Sequence, residues 1–513
     1  MKNTNFKRYL SPAIVAGVIG LTAGSCSKLD DVSLDKVTDA SSIAPAQLLA
    51  SAYNQLGAFT DQANIYALHE HSTDEMQGPT RGTDWDDNGR WRNIHTHTWT
   101  GQSSDVVGAW DGLNKGHALA NEAINNAGGN KTIIAEGTFL RAFFMFNIMD
   151  LFGKVPFKEM KDGQTVSSVL SRAQAADKII ADLEAVLPNL SDATGTNTGA
   201  ATKQAAQALL AKVYLNRAVY TADPKSPAGP FTFAKADMDK AISYCDAVIA
   251  SGKFSLTEDY FKNFTPDNTT ASKELVFAIA NTTGQSLNNG SSVRNRYYMT
   301  THYNQNPSGW NGFTTLSDFY NSFEAGDVRL GGKVADASAS GLVTGFQVGQ
   351  QFGKNGEKLT DRQGNPLVYT KDCSLTNANE REGIRVIKYT PEFSNIDAPG
   401  NDYVFLRFAD VLLMKAEALH RSGSSTAGLA IVNQVRTARG LKALAALTDD
   451  NLLAERGHEL YWEGWRRNDQ VRFGKFNAPV VNRTAASPAF RVVYPIPQKE
   501  IEINPALTQN EGY

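Results

Sequence analysis

The stretch Thr138–Phe157, "TFLRAFFMFNIMDLFGKVPF", constrains this chain more than any other. Apolar side chains fall almost all round the helix it encodes, Gly153 is placed to end that helix, and Pro156 prevents its continuation. A helix so apolar has to be covered on most sides, so the rest of the chain must supply further packed layers. The other periodic segments are helical too. "TKQAAQALLAKVYLNRAVY" has Thr202 as its N-cap and an Ala/Leu face small enough for close packing. "FAKADMDKAISYCDAVIASGKF" is amphipathic and closes at Gly252, with Cys245 as a small buried hydrophobe. "FLRFADVLLMKAEALHRSG" is followed, after a short Gly/Ser turn, by "AGLAIVNQVRTARGL", which ends at Gly440. That helix pair has the size of a tetratricopeptide unit, although no repeat recurs closely enough to define an array.

The N-terminus reads as an address. Lys2, Lys7 and Arg8 precede the apolar run "LSPAIVAGVIGLTAG", and small residues then lead to Cys26. The run is too short to span a membrane as an ordinary helix. "LTAGSC" resembles a lipoprotein signal that makes Cys26 the acylated N-terminus, with Ala23 standing where such signals usually carry leucine. Residues 1–25 are thus expected to be a signal peptide and 26–45, polar and aperiodic, a lipidated tether. The formal charge of −3 includes those three basic residues, so the mature chain is more acidic still and has no electrostatic footprint for nucleic acid. A neutral ligand, or one recognised locally, fits that balance. Cys245 and Cys373 are the only other cysteines, too few for a disulfide scaffold.

Two segments break the helical texture. One is His69–Trp99, "HEHSTDEMQGPTRGTDWDDNGRWRNIHTHTW"; the other is "NTTGQSLNNGSSVRNRYYMTTHYNQNPSGWNGF", with "GKNGEKLTDRQGNPLVYTKD" after it. Loops this long inside a compact domain are functional or disordered, and interleaved aromatics favour order and function. Three chemistries compete for them. As strands, His69/His71 and His95/His97 would each share a face and offer imidazoles to a metal, but His-x-His is a weak pattern without the fixed zinc spacings. Glu455, Glu459 and Glu463 lie four apart in "ERGHELYWEGWRRNDQVR", as a pair of glycosidase acids would need. Basic residues interspersed at helical spacing depress acid pKa values, so a structural ion-pair network is the better reading. The third chemistry is ligand holding. A sugar ring wants a flat aromatic plate beneath its C–H face and polar groups at its hydroxyl edge, and "TRGTDWDDNGRW" supplies both on a Gly/Pro-rich loop. One indole covering roughly 50 Å² of ring gives only about 1.2 kcal/mol. Millimolar binding needs about 4 kcal/mol, so a second aromatic wall is required. The candidates are Trp85 and Trp91, with Asp74 and Arg81 as hydroxyl partners, and Tyr298, Tyr303 and Trp310 from the second loop. Trp91 and Trp99 alternate with polar residues and also read as inward positions of a strand.

Several of these stretches, in this order, resemble one family. "FLRAFFMFNIMDLFGKVPF", "FLRFADVLLMKAEAL", "IVNQVRTARGL", "ERGHELYWEGWRRNDQVRFGKF" and the closing "YPIPQKEIEINPALTQNEGY" are similar to the SusD/RagB outer-membrane lipoproteins. "SKLDD" after Cys26 resembles the acidic tag that sends Bacteroidetes lipoproteins to the cell surface. The resemblance implies a mainly α, single SusD-like domain with four TPR-like helix pairs as scaffold and long irregular aromatic loops. Its N-terminal region would span 46–220 and its C-terminal region 270–513. It further implies a surface-exposed outer-membrane lipoprotein without cofactor or catalysis, which captures an oligosaccharide for a SusC-like TonB-dependent transporter. Peptide capture of the RagB type is the alternative; a glycoside or metal-dependent hydrolase, dependent on His69 or Glu75, is a second.

Overall fold

The computed structural model of the protein describes residues 44–158 and 168–513; the signal-like segment, Cys26 and the tether lie outside the described residues. Helices α1 (Pro45–Gln55), α2 (Asn64–Glu70), α3 (Arg90–His95), α4 (Ser104–Asn125) and α5 (Lys131–Phe152) lead to the antiparallel pair β1 (Lys154–Phe157) and β2 (Ser168–Ser171). Helices α6 (Arg172–Val186), α7 (Lys203–Tyr220) and α8 (Lys235–Ala250) follow. The middle of the chain carries short elements: α9 (Asn268–Ala271), β3 (Leu275–Ile279), α10 (Asn295–Tyr298), α11 (Ser317–Asn321) and β4 (Gly331–Val334). Then come β5 (Val343–Gln347), β6 (Gly349–Gln350), β7 (Val368–Tyr369), β8 (Arg385–Ile387) and β9 (Tyr403–Arg407). Strand β9 runs straight into α12 (Phe408–Arg421), followed by α13 (Ser425–Ala438), α14 (Asp449–Leu460), α15 (Arg466–Arg472) and α16 (Gln498–Ile503).

Helix α5 sits where its composition requires. Every residue from Gly137 to Phe152 is buried, Asn130 caps its first turn by accepting from Thr132 and Ile133, and Gly153 ends it at φ 72°. By length and composition this helix would also cross a membrane; here it is the core helix. Consecutive helices pack on one another around it, α4 on α5, α5 on α6 and α6 on α7. Helices α7 and α8 pair likewise, as do α12 and α13, and α8 also meets α12. Phe143 of α5 meets the rings of Phe59, Phe277 and Phe405 at 5.6, 5.5 and 5.1 Å, which brings the two-stranded β3–β9 ladder onto the helical core. Gly116 is needed where α4 crosses α5, because a Cβ there would lie 2.3 Å from the Phe144 ring.

The last helices are tied in by charge. Glu459 of α14 receives Arg407 at 2.7 Å, Arg439 at 2.8 Å and Arg329 at 3.0 Å. Glu455 takes Arg329 and Arg436, Glu463 takes Lys388 and Arg407, and Glu274 takes Arg407 and Arg439. With Asp327 on Arg329, five carboxylates face five cations, all of them buried. The expected ion-pair network is therefore present, and it reaches beyond α14 to β9, α13 and the segments before β3, β4 and after β8. A second set places Asp410 between Lys212 (2.7 Å) and Arg456 (2.9 Å), and Asp150 of α5 holds Arg467 of α15 at 2.7 Å. Burial alone would raise these carboxyls. The arginine and lysine fields outweigh it, so Glu459 lies well below its usual range and Asp410 falls to about 2.

Two outcomes follow from this arrangement. Glu459→Ala removes the carboxylate that Arg329, Arg407 and Arg439 share, leaving three buried cations with only their outer partners, and should cost about 3–5 kcal/mol in urea unfolding; a loss under about 1 kcal/mol would show that the network is dispensable. Because Asp410 drops from 3.8 to about 2 on folding, its contribution is present at neutral pH and disappears as pH falls through that window. Circular dichroism should accordingly show acid unfolding setting in below about pH 4.

Candidate functional site

The two aromatic loops meet. Arg81 and Asp84 exchange main-chain hydrogen bonds of 2.8 and 3.0 Å, closing a tight turn that delivers Trp85 at φ 63°. Asp87 and Asn88 are also left-handed, at φ 41° and 53°. Such conformations in non-glycine residues cost on the order of 1 kcal/mol each and persist only where surrounding contacts hold them. Those contacts come from the second loop. The Trp85 indole lies on Gly312, where a Cβ would sit 2.5 Å from the ring, and its Nε1–H donates to the Trp310 carbonyl at 2.8 Å. Trp310 in turn donates its main-chain N–H to the Tyr298 carbonyl at 2.7 Å, and the two rings run nearly parallel, 24° apart with centroids at 5.6 Å. The Tyr303 hydroxyl donates to Asp84 at 2.9 Å. Trp85, Tyr298, Tyr303 and Trp310 are all half-buried.

A third segment completes the rim, and the sequence reading missed it. Arg362 lies 4.0 Å over the Tyr303 ring, pairs with Asp84 at 2.8 Å and also binds Glu380. Asp397 accepts from Tyr298 at 3.2 Å and pairs with Arg294 at 2.8 Å. Burial would raise the Asp84 and Glu380 carboxyls, but hydrogen bonds from Arg362, with Tyr303 on Asp84 and His302 on Glu380, bring both below their ordinary values. The only signal for Arg362 was the turn sequence "DRQGN", which carries no aromatic marker and says nothing of what it faces.

Three expected contact residues, Trp91, Arg81 and Asp74, are committed to partners within the protein. Trp91 is on α3, not on a strand, and is 2% exposed; its Nε1–H donates to Asp87 at 2.7 Å, and its ring packs on Trp85 and Phe313. It supports Trp85 from beneath and has no free face. Trp99 also points inward, donating to the Tyr513 hydroxyl at 2.7 Å. Arg81 is 5% exposed and spends its guanidinium on the carbonyls of Gly312, Asn379 and Glu382, stapling the three segments together. Asp74 forms a forked pair with Arg466, 2.8 Å on both arms, and lines a separate cavity of about 290 Å³ beside Phe319 and His458.

The fold and site define a helical frame that carries an open aromatic platform, and comparison with known proteins agrees with that architecture. Residues 273–513 match the family described as "SusD family", and residues 29–215 match "Starch-binding associating with outer membrane". The starch-binding protein SusD of Bacteroides thetaiotaomicron is 26% identical over 422 residues, which is 74% of this chain and 72% of that protein. Surface glycan-binding protein A from Bacteroides fluxus superposes with a TM-score of 0.69 at 22% identity, covering 91% of this chain and 99% of that one. A laminarin-binding SusD-like protein does so with a TM-score of 0.70 at 20% identity, again over 91% and 99%. The chain belongs to the SusD/RagB family.

The histidines and acids of the first loop are interior groups. His69 lies in α2 and His95 ends α3, so neither pair shares a strand face. His95 contacts the carbonyls of His71 and Val481, and His97 the Ser72 carbonyl and the Ser487 hydroxyl. Burial pulls His69 and His95 down to about 4, so both are neutral at physiological pH. No three metal-donor side chains converge among the described residues. Glu70 and Glu75 are fully buried: Glu70 accepts from the Gly464 N–H at 2.6 Å and Glu75 from the Trp462 N–H at 3.0 Å. Each has one carboxyl oxygen without a hydrogen bond, although that of Glu75 lies 3.7 Å from the Arg466 Nε, and burial raises Glu70 from 4.5 to about 7. A group raised on folding contributes stability that is intact below its unfolded value and declines as pH climbs through its folded value. Glu70→Gln keeps the acceptor for Gly464 and adds a donor for Glu75. It should therefore be about 1 kcal/mol more stable than wild type near pH 8, with the difference shrinking towards about pH 5. Equal denaturation midpoints at both pH values would exclude this account.

Proposed function

We propose that this protein is a cell-surface glycan-binding lipoprotein of the outer membrane, anchored through Cys26, which lies outside the described residues. It captures an oligosaccharide on the platform of Trp85, Tyr298, Tyr303 and Trp310 and hands it, unaltered, to a SusC-like TonB-dependent transporter. The observation that carries the reading is the coupled set of rings: the nearly parallel Tyr298–Trp310 pair with Trp85 bonded to its backbone. Three or four half-exposed rings multiply the roughly 1.2 kcal/mol that one ring supplies and bring the total into the millimolar range and below. The rim supports a neutral sugar. Arg294 and Arg362 are each already paired with a carboxylate, leaving dipoles and hydroxyl-bonding edges rather than a net charge. Matched relatives carry names that point the same way, starch-binding and laminarin-binding among them.

The same rim argues against hydrolysis. A general acid needs a carboxyl with a raised pKa at the substrate. Asp84 and Glu380 beside the platform are lowered, whereas the raised Glu70 and Glu75 are sealed in the interior. Weak, exchangeable binding also suits a protein tethered beside its transporter, where proximity replaces affinity.

Calorimetry with a panel of neutral oligosaccharides should find a ligand whose affinity falls roughly five- to tenfold in Trp85→Ala and again in Trp310→Ala. A peptide mixture should give no comparable heat. Undiminished glycan binding in both variants would remove the platform from the assignment, and accumulation of cleaved product would remove the function.

A further inference from the structure

A second concave site lies away from the platform and shares no residue with it. It is a cavity of about 410 Å³ enclosed by β1, β2, the first turn of α6, the end of α7 and the C-terminal segment. Its walls are apolar: Pro224, Pro227, Phe490, Val493 and the Tyr220 ring. Its polar group of consequence is Arg172.

Arg172 is in an unusual position for a cation. Its Nε is sealed from solvent with no acceptor, and its guanidinium lies 5.3 Å from the Tyr220 ring. Alone among the described arginines, it has neither a side-chain hydrogen bond nor an ion pair. The carboxylate that could answer it, Asp150, is already occupied by Arg467 at 2.7 Å, Asn468 at 2.7 Å and the Tyr220 hydroxyl at 3.1 Å. Arg172 is also the first residue of α6, where the helix dipole disfavours positive charge. Burial and the dipole thus act against the same cation; the Asp150 field and the Tyr220 ring offset them only in part, so the guanidinium stays below its ordinary value. Beside it, the Lys154 ammonium is held by oxygens of Thr508 and Gln509, again without a carboxylate. Two acids, Asp223 and Glu511, line the cavity as exposed residues without ion pairs. Their charge opposes every anion, and multiply charged ones most, so a bound negative group has to be a single charge held at Arg172.

We infer that this cavity is a binding site for a small organic monocarboxylate with an apolar body, its carboxylate paired with Arg172 and its body against Tyr220, Phe490 and the two prolines. A planar carboxylate matches the forked guanidinium, and the apolar walls reject a bare inorganic anion.

The test titrates the protein with phenylacetate, octanoate, acetate, phosphate and phenylacetamide, read by calorimetry and ligand-detected NMR. Phenylacetate or octanoate should bind saturably, with acetate, phosphate and the uncharged amide about tenfold weaker or more. Arg172→Met should lose that binding, retain glycan binding, and melt at or above the wild-type temperature, because it removes a half-buried cation whose sealed Nε has no acceptor. Arg172→Lys, which keeps the charge without the fork, should bind with intermediate affinity. No saturable binding tighter than about 10 mM, equal binding of acid and amide, or undiminished binding in Arg172→Met would each overturn the inference. A lowered melting temperature in Arg172→Met would do so too, by assigning the cation a structural role.

Discussion

Glu459 and the three arginines around it make a demand on the fold that no single element can meet. Taking charges of both signs out of water is favourable only when every one finds its partner, and here the partners come from α14, β9, the residue that follows α13 and the segment before β4. The arrangement is all-or-none: a misplaced strand or helix strands a bare charge in a low dielectric, at a cost of several kcal/mol. Hydrophobic burial around α5 supplies most of the driving force, but apolar contacts are non-directional and tolerate alternatives. The charge network does not. It locates the C-terminal helices against β9, and with them the loop of Trp462–Gly464 that receives Glu70 and Glu75 from the aromatic loop.

The platform depends on that frame through a short chain of contacts. Arg81 and the Gln77–Thr314 bridge bind the first loop to the second, and Arg81 also reaches the carbonyls of Asn379 and Glu382. Trp91, Phe313 and His71 form the layer beneath Trp85. The left-handed residues at Trp85, Asp87 and Asn88 are held open by this layer, which explains why two tryptophans six residues apart have opposite fates. One is the floor and the other the surface.

The helices were legible in the sequence because their signals are local. Thr202 caps α7 by accepting from Ala205, Gly153 closes α5, and α13 ends just before Gly440, as expected. The acids of "ERGHELYWEGWRRNDQVR" were legible as a network because opposite charges recur at helical spacing within it. Which loops would carry the aromatic surface was also legible, since rings among Asn, Gly and Asp are poorly explained as core. What could not be read was depth. Trp85 and Trp91 have the same polar neighbours in sequence, and only Gly312 and Phe313, more than two hundred positions away, decide which is covered. "WRNIHTHTW" shows strand-like alternation, yet α3 forms because tertiary packing of Trp91, Ile94 and His95 overrides a weak local pattern. Arg362 and Asp397 were invisible for the same reason: ion-pair partners from distant loops leave no mark on one another's sequence.

The hydrogen bond from the Trp85 indole to the Trp310 carbonyl has a kinetic corollary. The rings are fixed to one another in the free protein, so under the proposed function docking would require no loop to freeze and departure none to melt. Residence time is then governed by the contacts themselves, and swapping one ring for another alters dwell without rebuilding the support. A platform of this kind resembles a tool with interchangeable jaws, in which one face at a time can be changed while the handle remains untouched.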